Sequence, residues 1–198
     1  MANQLGSALA GRPFLVRLWL AGRARVSRAF ARRARRLERS GQPAAERWLR
    51  LAAALAPRFG LVHRDLVAAR RRAGDDRLGA VALARELAGR YEDSADAWVT
   101  LGEACVAAFR PRDALTAFER ALLLEERADA AIAAGDLYAR QGDHVTAGAR
   151  FARAYAAGGG PDALRANALA LRSAGDTDAA ERAKDLWEQE TGKRWTDG

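Results

Sequence analysis

A pattern of small and large residues recurs about every 33 positions along this 198-residue chain. The clearest copy runs from Trp98 to Glu126. Trp98, Leu101, Gly102 and Cys105 fall on one face of a helix, Pro111 marks a turn and the start of a second helix, and Ala114, Phe118 and Ala121 line the second helix. Small residues on one helix facing large ones on the other are what two closely crossing antiparallel helices need. Gly135 follows Gly102 by 33 residues and brings Tyr138, the turn Gln141-Gly142-Asp143, then Ala147, Phe151 and Ala154. The gap from glycine to alanine is 12 in both copies. Another 33 residues on, Ala168 takes the glycine slot, followed by Leu171, the turn Ala174-Gly175-Asp176 and Ala180, with Lys184 where the phenylalanine is expected. Backwards from Gly102, Ala68, Ala73-Gly74-Asp75, Ala80, Ala84 and Leu87 make a fourth copy.

Such a period predicts helix pairs that each bury one face against the next. Four repeats are expected, at 61–94, 95–127, 128–160 and 161–194, with a degenerate last unit as a cap and a tail at 195–198. An alanine-rich chain with five prolines favours helix. No stretch alternates apolar and polar with β-branched residues, so no sheet is expected. The fold class expected is all-α.

These residues resemble the tetratricopeptide repeat, whose helix–turn–helix unit of roughly 34 residues carries W-x2-L-G-x2-Y and then A-x3-F. Trp98, Leu101 and Gly102 match its first part, and Ala114 and Phe118 its second, while Cys105 replaces the tyrosine and Glu126 stands near the usual closing proline. The resemblance implies a right-handed α-solenoid whose first helices line a concave, non-catalytic binding surface. On that pattern the groove-facing residues are Asp96, Val99, Glu103 and Val106 in one unit, Asp129, Ile132, Asp136 and Arg140 in the next, then Asp162, Arg165 and Leu169. A cationic, partly apolar peptide or helix would suit such a groove. Asp96, Asp129 and Asp162 stand in first helical turns, where an acid also complements the helix dipole, so groove recognition and capping weigh equally there. Some members of the family hold acidic C-terminal peptides with lysines and asparagines; Val99 and Glu103 stand where those would be needed.

Charge is placed unevenly. Residues 1–60 hold 13 arginines and 2 glutamates, a net +11, whereas residues 61–198 carry a net −3. Lysine is nearly missing, with Lys184 and Lys193 against 31 arginines, as a GC-rich bacterial genome would leave it. Residues 1–41 form a basic N-terminal segment in which Pro13 starts one long amphipathic helix over 13–39. Leu15, Trp19, Val26, Phe30 and Leu37 give its apolar face, Phe14 is a further apolar docking residue at its start, and Arg17, Arg23, Arg25, Arg28, Arg32, Arg33, Arg35, Arg36 and Arg39 crowd the rest. The apolar run 14–21 follows Arg12, contains Arg17 and is too short to span a bilayer, and it is not read as a standard signal peptide. The segment suits an acidic protein surface, an anionic membrane, a second copy of the chain, or simply the first helix of the array. Nucleic acid fits less well, because aromatics for base stacking are few. Residues 42–60 then read as a packing helix or degenerate repeat, with Arg33 where a zeroth repeat would need its glycine.

No catalytic constellation is legible. His63 and His144 lie far apart, the single cysteine excludes an internal disulfide, and neither a metal-ligand spacing nor a phosphate-binding glycine loop is present. Neither enzyme activity nor a cofactor is expected. The expected role is a cytoplasmic scaffold or adaptor for a protein partner. The alternatives are a peripheral protein on the inner face of a membrane, or a homo-oligomer in which the basic arm occupies the acidic groove.

Overall fold

A computed structural model describes residues 13–39 and 44–196, with side chains from Trp19 onward. The described residues are all-α. The helices are α1 (Pro13–Arg39), α2 (Ala45–Leu55), α3 (Leu61–Arg72), α4 (Arg77–Arg90), α5 (Ala95–Ala107), α6 (Pro111–Leu124), α7 (Ala128–Arg140), α8 (His144–Ala156), α9 (Gly160–Ser173) and α10 (Thr177–Thr191), with a short 3-10 turn at Ala73–Asp75. They divide between two compact units, Met1–Tyr91 and Glu92–Gly198.

In the second unit each helix packs on the next from α5 to α10, giving three stacked helix pairs. The recurring glycine and phenylalanine set the closeness of each pair. Gly102 lies under the Phe118 ring and Gly135 under the Phe151 ring, and all four are buried. In the last pair Ala168 is buried in the glycine slot, and Lys184, in the phenylalanine slot, reaches outward to Glu181 at 3.0 Å. Trp187 is buried there, and Trp195 comes back from the tail to meet it edge to face at 5.4 Å. The turns inside the pairs repeat one geometry. Gly142 and Gly175 take left-handed backbone, and Phe109 does the same at φ 57°. Three of the second helices start from an aspartate (Asp76, Asp143 and Asp176) whose carboxylate accepts a backbone N–H three positions on, which satisfies a donor left open by the helix start. Pro111 serves the remaining one at its first turn.

Ion pairs tie neighbouring pairs together. Arg150 forks onto Glu119 at 2.7 and 2.9 Å, and Arg153 forks onto Glu126 while also donating to the Leu122 carbonyl at 2.8 Å. Both join α8 to α6 or the residues just after it.

In the first unit α1 packs on α2, α2 on α3 and α3 on α4. The helix register of α1 differs from the apolar face read in the sequence. Ser27 and Ala34 are the buried positions, whereas Val26 is 44% exposed. Ser27 Oγ donates to the Ala52 carbonyl at 2.7 Å, Phe30 meets Trp48 edge to face at 5.2 Å, and Ala34 joins Leu49, Ala53, Leu66 and Ala69 in one core. The small residue in that core is Ala34, one position after the glycine slot occupied by Arg33, so the arginine is carried out to solvent.

His63 forms a second centre of the first unit. It is fully buried, stacked on Phe59 at 5.0 Å and edge-on to Tyr91 at 5.0 Å. Neither ring nitrogen has a hydrogen-bond partner. Burial pushes its pKa below the ordinary 6.5, and the Arg90 charge adds to the effect, while the carbonyls of Ala53 and Gly60 oppose it.

Candidate functional site: the first-helix face of the second unit and the basic face of α1

Helices α5, α7 and α9 are the first helices of the three pairs in the second unit, and the sequence-predicted groove residues lie on them. They separate into three groups. Val99 is 3% exposed, because α5 is buried around most of its circumference, Ala97, Thr100, Leu101, Ala104 and Cys105 included. Its side chain therefore belongs to the core rather than to a partner surface.

Asp96 and Asp129 are joined by one cation. Arg127, the residue before α7, reaches Asp96 with Nη1 at 2.6 Å and Asp129 with Nη2 at 2.6 Å. Its side chain is only 20% exposed, and the two carboxylates raise its pKa, Asp129 foremost. Asp129 Oδ1 also accepts the Ala130 N–H at 2.8 Å. The single guanidinium thus offsets half of the charge of the two acids and leaves the trio at a net charge of about −1. Sequence reasoning missed Arg127 because it looked along each helix, whereas this bridge runs between repeats; its separation of 31 from Asp96, close to the repeat length, is the signal that would have found it.

Glu103, Val106, Asp136 and Arg140 are exposed and Ile132 is half-buried. Asp136 has its pKa raised, since desolvation by its neighbours outweighs the attraction of Arg140 one turn away. On α9, Asp162 and Leu169 are exposed, and Arg165 lies over the rings of Trp187 and Trp195 at 5.9 and 5.6 Å.

The basic candidates lie in the first unit. Phe14, Leu15 and Arg17 fall outside the described side chains, and residues 1–12 and 40–43 outside the described residues. Arg23 stacks over Trp19 at 4.6 Å and donates to the Ala54 carbonyl at 3.2 Å. Arg35 forks onto Asp65 at 2.9 and 3.2 Å, and Arg25, Arg28, Arg32, Arg33 and Arg36 are exposed. Phe30, by contrast, is half-buried and packs against Trp48. Among the described residues no helix is long and apolar enough to cross a membrane, and no group of three or more His, Cys, Asp or Glu side chains is placed to hold a metal ion.

Several solved structures are similar to this chain. MamA superposes with a TM-score of 0.67 at 20% identity, over 85% of this chain and 93% of MamA. TTC0263, a thermophilic TPR protein of Thermus thermophilus, gives 0.56 at 21%, over 84% and 92%. YrrB, a TPR protein described as having an unusual peptide-binding site, gives 0.60 at 17%, over 83% and 86%. No protein-family model matches the sequence and no curated protein matches it. The chain has the tetratricopeptide-repeat fold.

Proposed function

We propose that this chain is a non-catalytic scaffold or adaptor that holds a peptide or helix of a protein partner along α5, α7 and α9. The arginine face of α1 serves as its second docking element. The observation that carries the reading is the exposed pair of mid-helix acids, Glu103 and Asp136, set beside the exposed Val106 and the half-buried Ile132. Neither acid stands in a first helical turn, so the helix dipole does not account for them. A partner helix bearing arginine or lysine beside apolar residues matches that surface in both charge and hydrophobicity. A cation brought to Asp136 would offset the desolvation that now raises its pKa. The likeness to YrrB, a TPR protein with a peptide-binding site, is in keeping with this use of the fold.

Capture from native cell extract, read by mass spectrometry, tests the groove. Glu103→Lys with Asp136→Lys is expected to lose the main partner while the helical signal shows that the array stays folded. Unchanged capture would remove the groove assignment.

The exposed arginines of α1 favour a second reading, a peripheral membrane protein held by anionic lipid. Arg17→Glu with Arg25→Glu and Arg32→Glu would then abolish binding to phosphatidylserine vesicles. Equal binding at low salt would discard it. Point variants are used rather than removal of α1, since Ser27, Phe30 and Ala34 pack on α2 and its neighbours.

A further inference from the structure

We infer that the cavity between α1 and the start of α3 is a binding pocket for a carboxylate-bearing, partly apolar peptide segment of a protein partner. The cavity has a volume of about 520 Å³. Arg28, Arg32 and Arg35 line it from α1, Pro57 and Arg58 from the α2–α3 connection, and Leu61 from the start of α3. The α1 arginines lie four and three positions apart, on one strip of the helix. The carboxylates of α1, α2 and α3 are committed. Glu38 pairs with Arg72, Glu46 with Arg50 and Arg70, and Asp65 with Arg35. Among the described residues no ion pair joins Arg28, Arg32 or Arg58 to an acid, so the cavity carries uncompensated positive charge. Helix α3 begins beside it at Gly60 without a side-chain cap, which leaves the first backbone N–H groups of Leu61 and Val62 open to an acceptor.

The chemistry of the lining selects among anions. Planar guanidinium groups facing from two elements can clasp a carboxylate from both sides. Pro57 and the 66% exposed Leu61 offer apolar surface between them, which a peptide covers with an apolar side chain. A phosphodiester backbone has nothing to place there. A bilayer surface is flat and meets protruding residues before concave ones. The inference rests on reading α1 as a docking element and narrows it to one pocket and one ligand class.

The test uses the full chain and a fluorescein-labelled peptide, Glu-Leu-Glu-Asp-Leu-Glu, followed by anisotropy. Arg28→Gln with Arg32→Gln and Arg58→Gln is expected to weaken binding about tenfold or more, the size of losing charge-assisted hydrogen bonds. Arg25→Gln with Arg33→Gln and Arg39→Gln removes the same charge from α1 outside the cavity and is expected to weaken it less than about threefold, the effect of long-range charge alone. The amide resonances of Leu61 and Val62 shift on peptide addition in the unaltered chain. Equal losses in the two triple variants would overturn the pocket while leaving α1 as a diffuse docking face. Loss in neither would overturn both. Failure of the unaltered chain to bind the peptide, or tighter binding of phosphatidylserine vesicles or a single-stranded oligonucleotide than of the peptide, would also overturn the inference.

Discussion

A Cβ atom added to Gly102 would sit 2.5 Å from Cε1 of Phe118. That is well inside any tolerated contact, and Phe118 has no free space to retreat into, being 2% exposed. Gly102→Ala therefore forces the α5–α6 pair apart. The expected loss is about 2 kcal/mol, in the range of overpacked cores, read as a lower midpoint in denaturant. Gly135→Ala should behave alike, since its Cβ would meet Phe151 at 2.7 Å. Gly89, in α4 with nothing within 4 Å, is the control. Gly89→Ala should raise stability by about 0.5–1 kcal/mol, because alanine is the better helix former. Similar behaviour of Gly89→Ala and Gly102→Ala would show that backbone entropy, rather than ring contact, explains the glycine.

Phe109 holds the position that Gly142 and Gly175 hold in the next two turns. Its N–H donates to the Val106 carbonyl at 3.0 Å, as that of Gly142 does to Ala139 at 3.0 Å. A bulky side chain at φ 57° is strained, and the ring is 81% exposed, so burial returns little. Phe109→Gly is expected to stabilise the second unit by about 1 kcal/mol, the lower end of the left-handed penalty. A lower melting temperature would instead show that the ring's contacts outweigh its backbone strain.

His63 sets the acid limit of the first unit. Its pKa is lowered on folding, so below the ordinary 6.5 the unfolded chain binds more protons than the native one. The stability this neutral ring permits is complete above that pH and is lost progressively as pH falls towards the folded value. Urea midpoints followed by Trp48 fluorescence should hold steady from pH 8 to about 7 and then decline. His63→Phe replaces two unsatisfied nitrogens with carbon between Phe59 and Tyr91. It should flatten the pH dependence and leave stability at neutral pH equal or higher by about 1 kcal/mol. An unaltered acid decline in that variant would assign the effect to carboxylates.

The parts of the fold legible in the sequence are those fixed by a steric pair at constant spacing. Gly102 with Phe118 and Gly135 with Phe151 announce both helix pairs, because only a residue without a side chain fits under the ring. The register of α1 was not legible. A helix as long as Pro13–Arg39 has no turn to fix its phase, and the apolar face suggested by Val26 gives way to the smaller Ser27 and Ala34, which allow closer approach. The predicted groove was legible as a helix face but not residue by residue. Val99 is drawn into the core by neighbours on several sides, and the state of Asp96 depends on an arginine contributed from just before the following helix pair. His63 carried no signal, since the cage of Phe59 and Tyr91 forms only after α3 and α4 are packed.

Arg127 offers the means to separate capping from recognition at Asp96 and Asp129. Its guanidinium holds both carboxylates and offsets their mutual repulsion. Arg127→Gln removes the charge but keeps a hydrogen-bonding side chain. The expected cost in stability is about 1 kcal/mol, the upper end for a partly exposed pair, and it should shrink in high salt as the exposed acids are screened. Partner capture should move in the opposite direction. If the two acids face a cationic ligand, their release strengthens binding of a lysine-rich amphipathic peptide by about threefold, equivalent to roughly 0.65 kcal/mol. Binding that stays constant while stability falls would show that Asp96 and Asp129 serve their helix termini alone, leaving Glu103 and Asp136 as the acids that meet the partner.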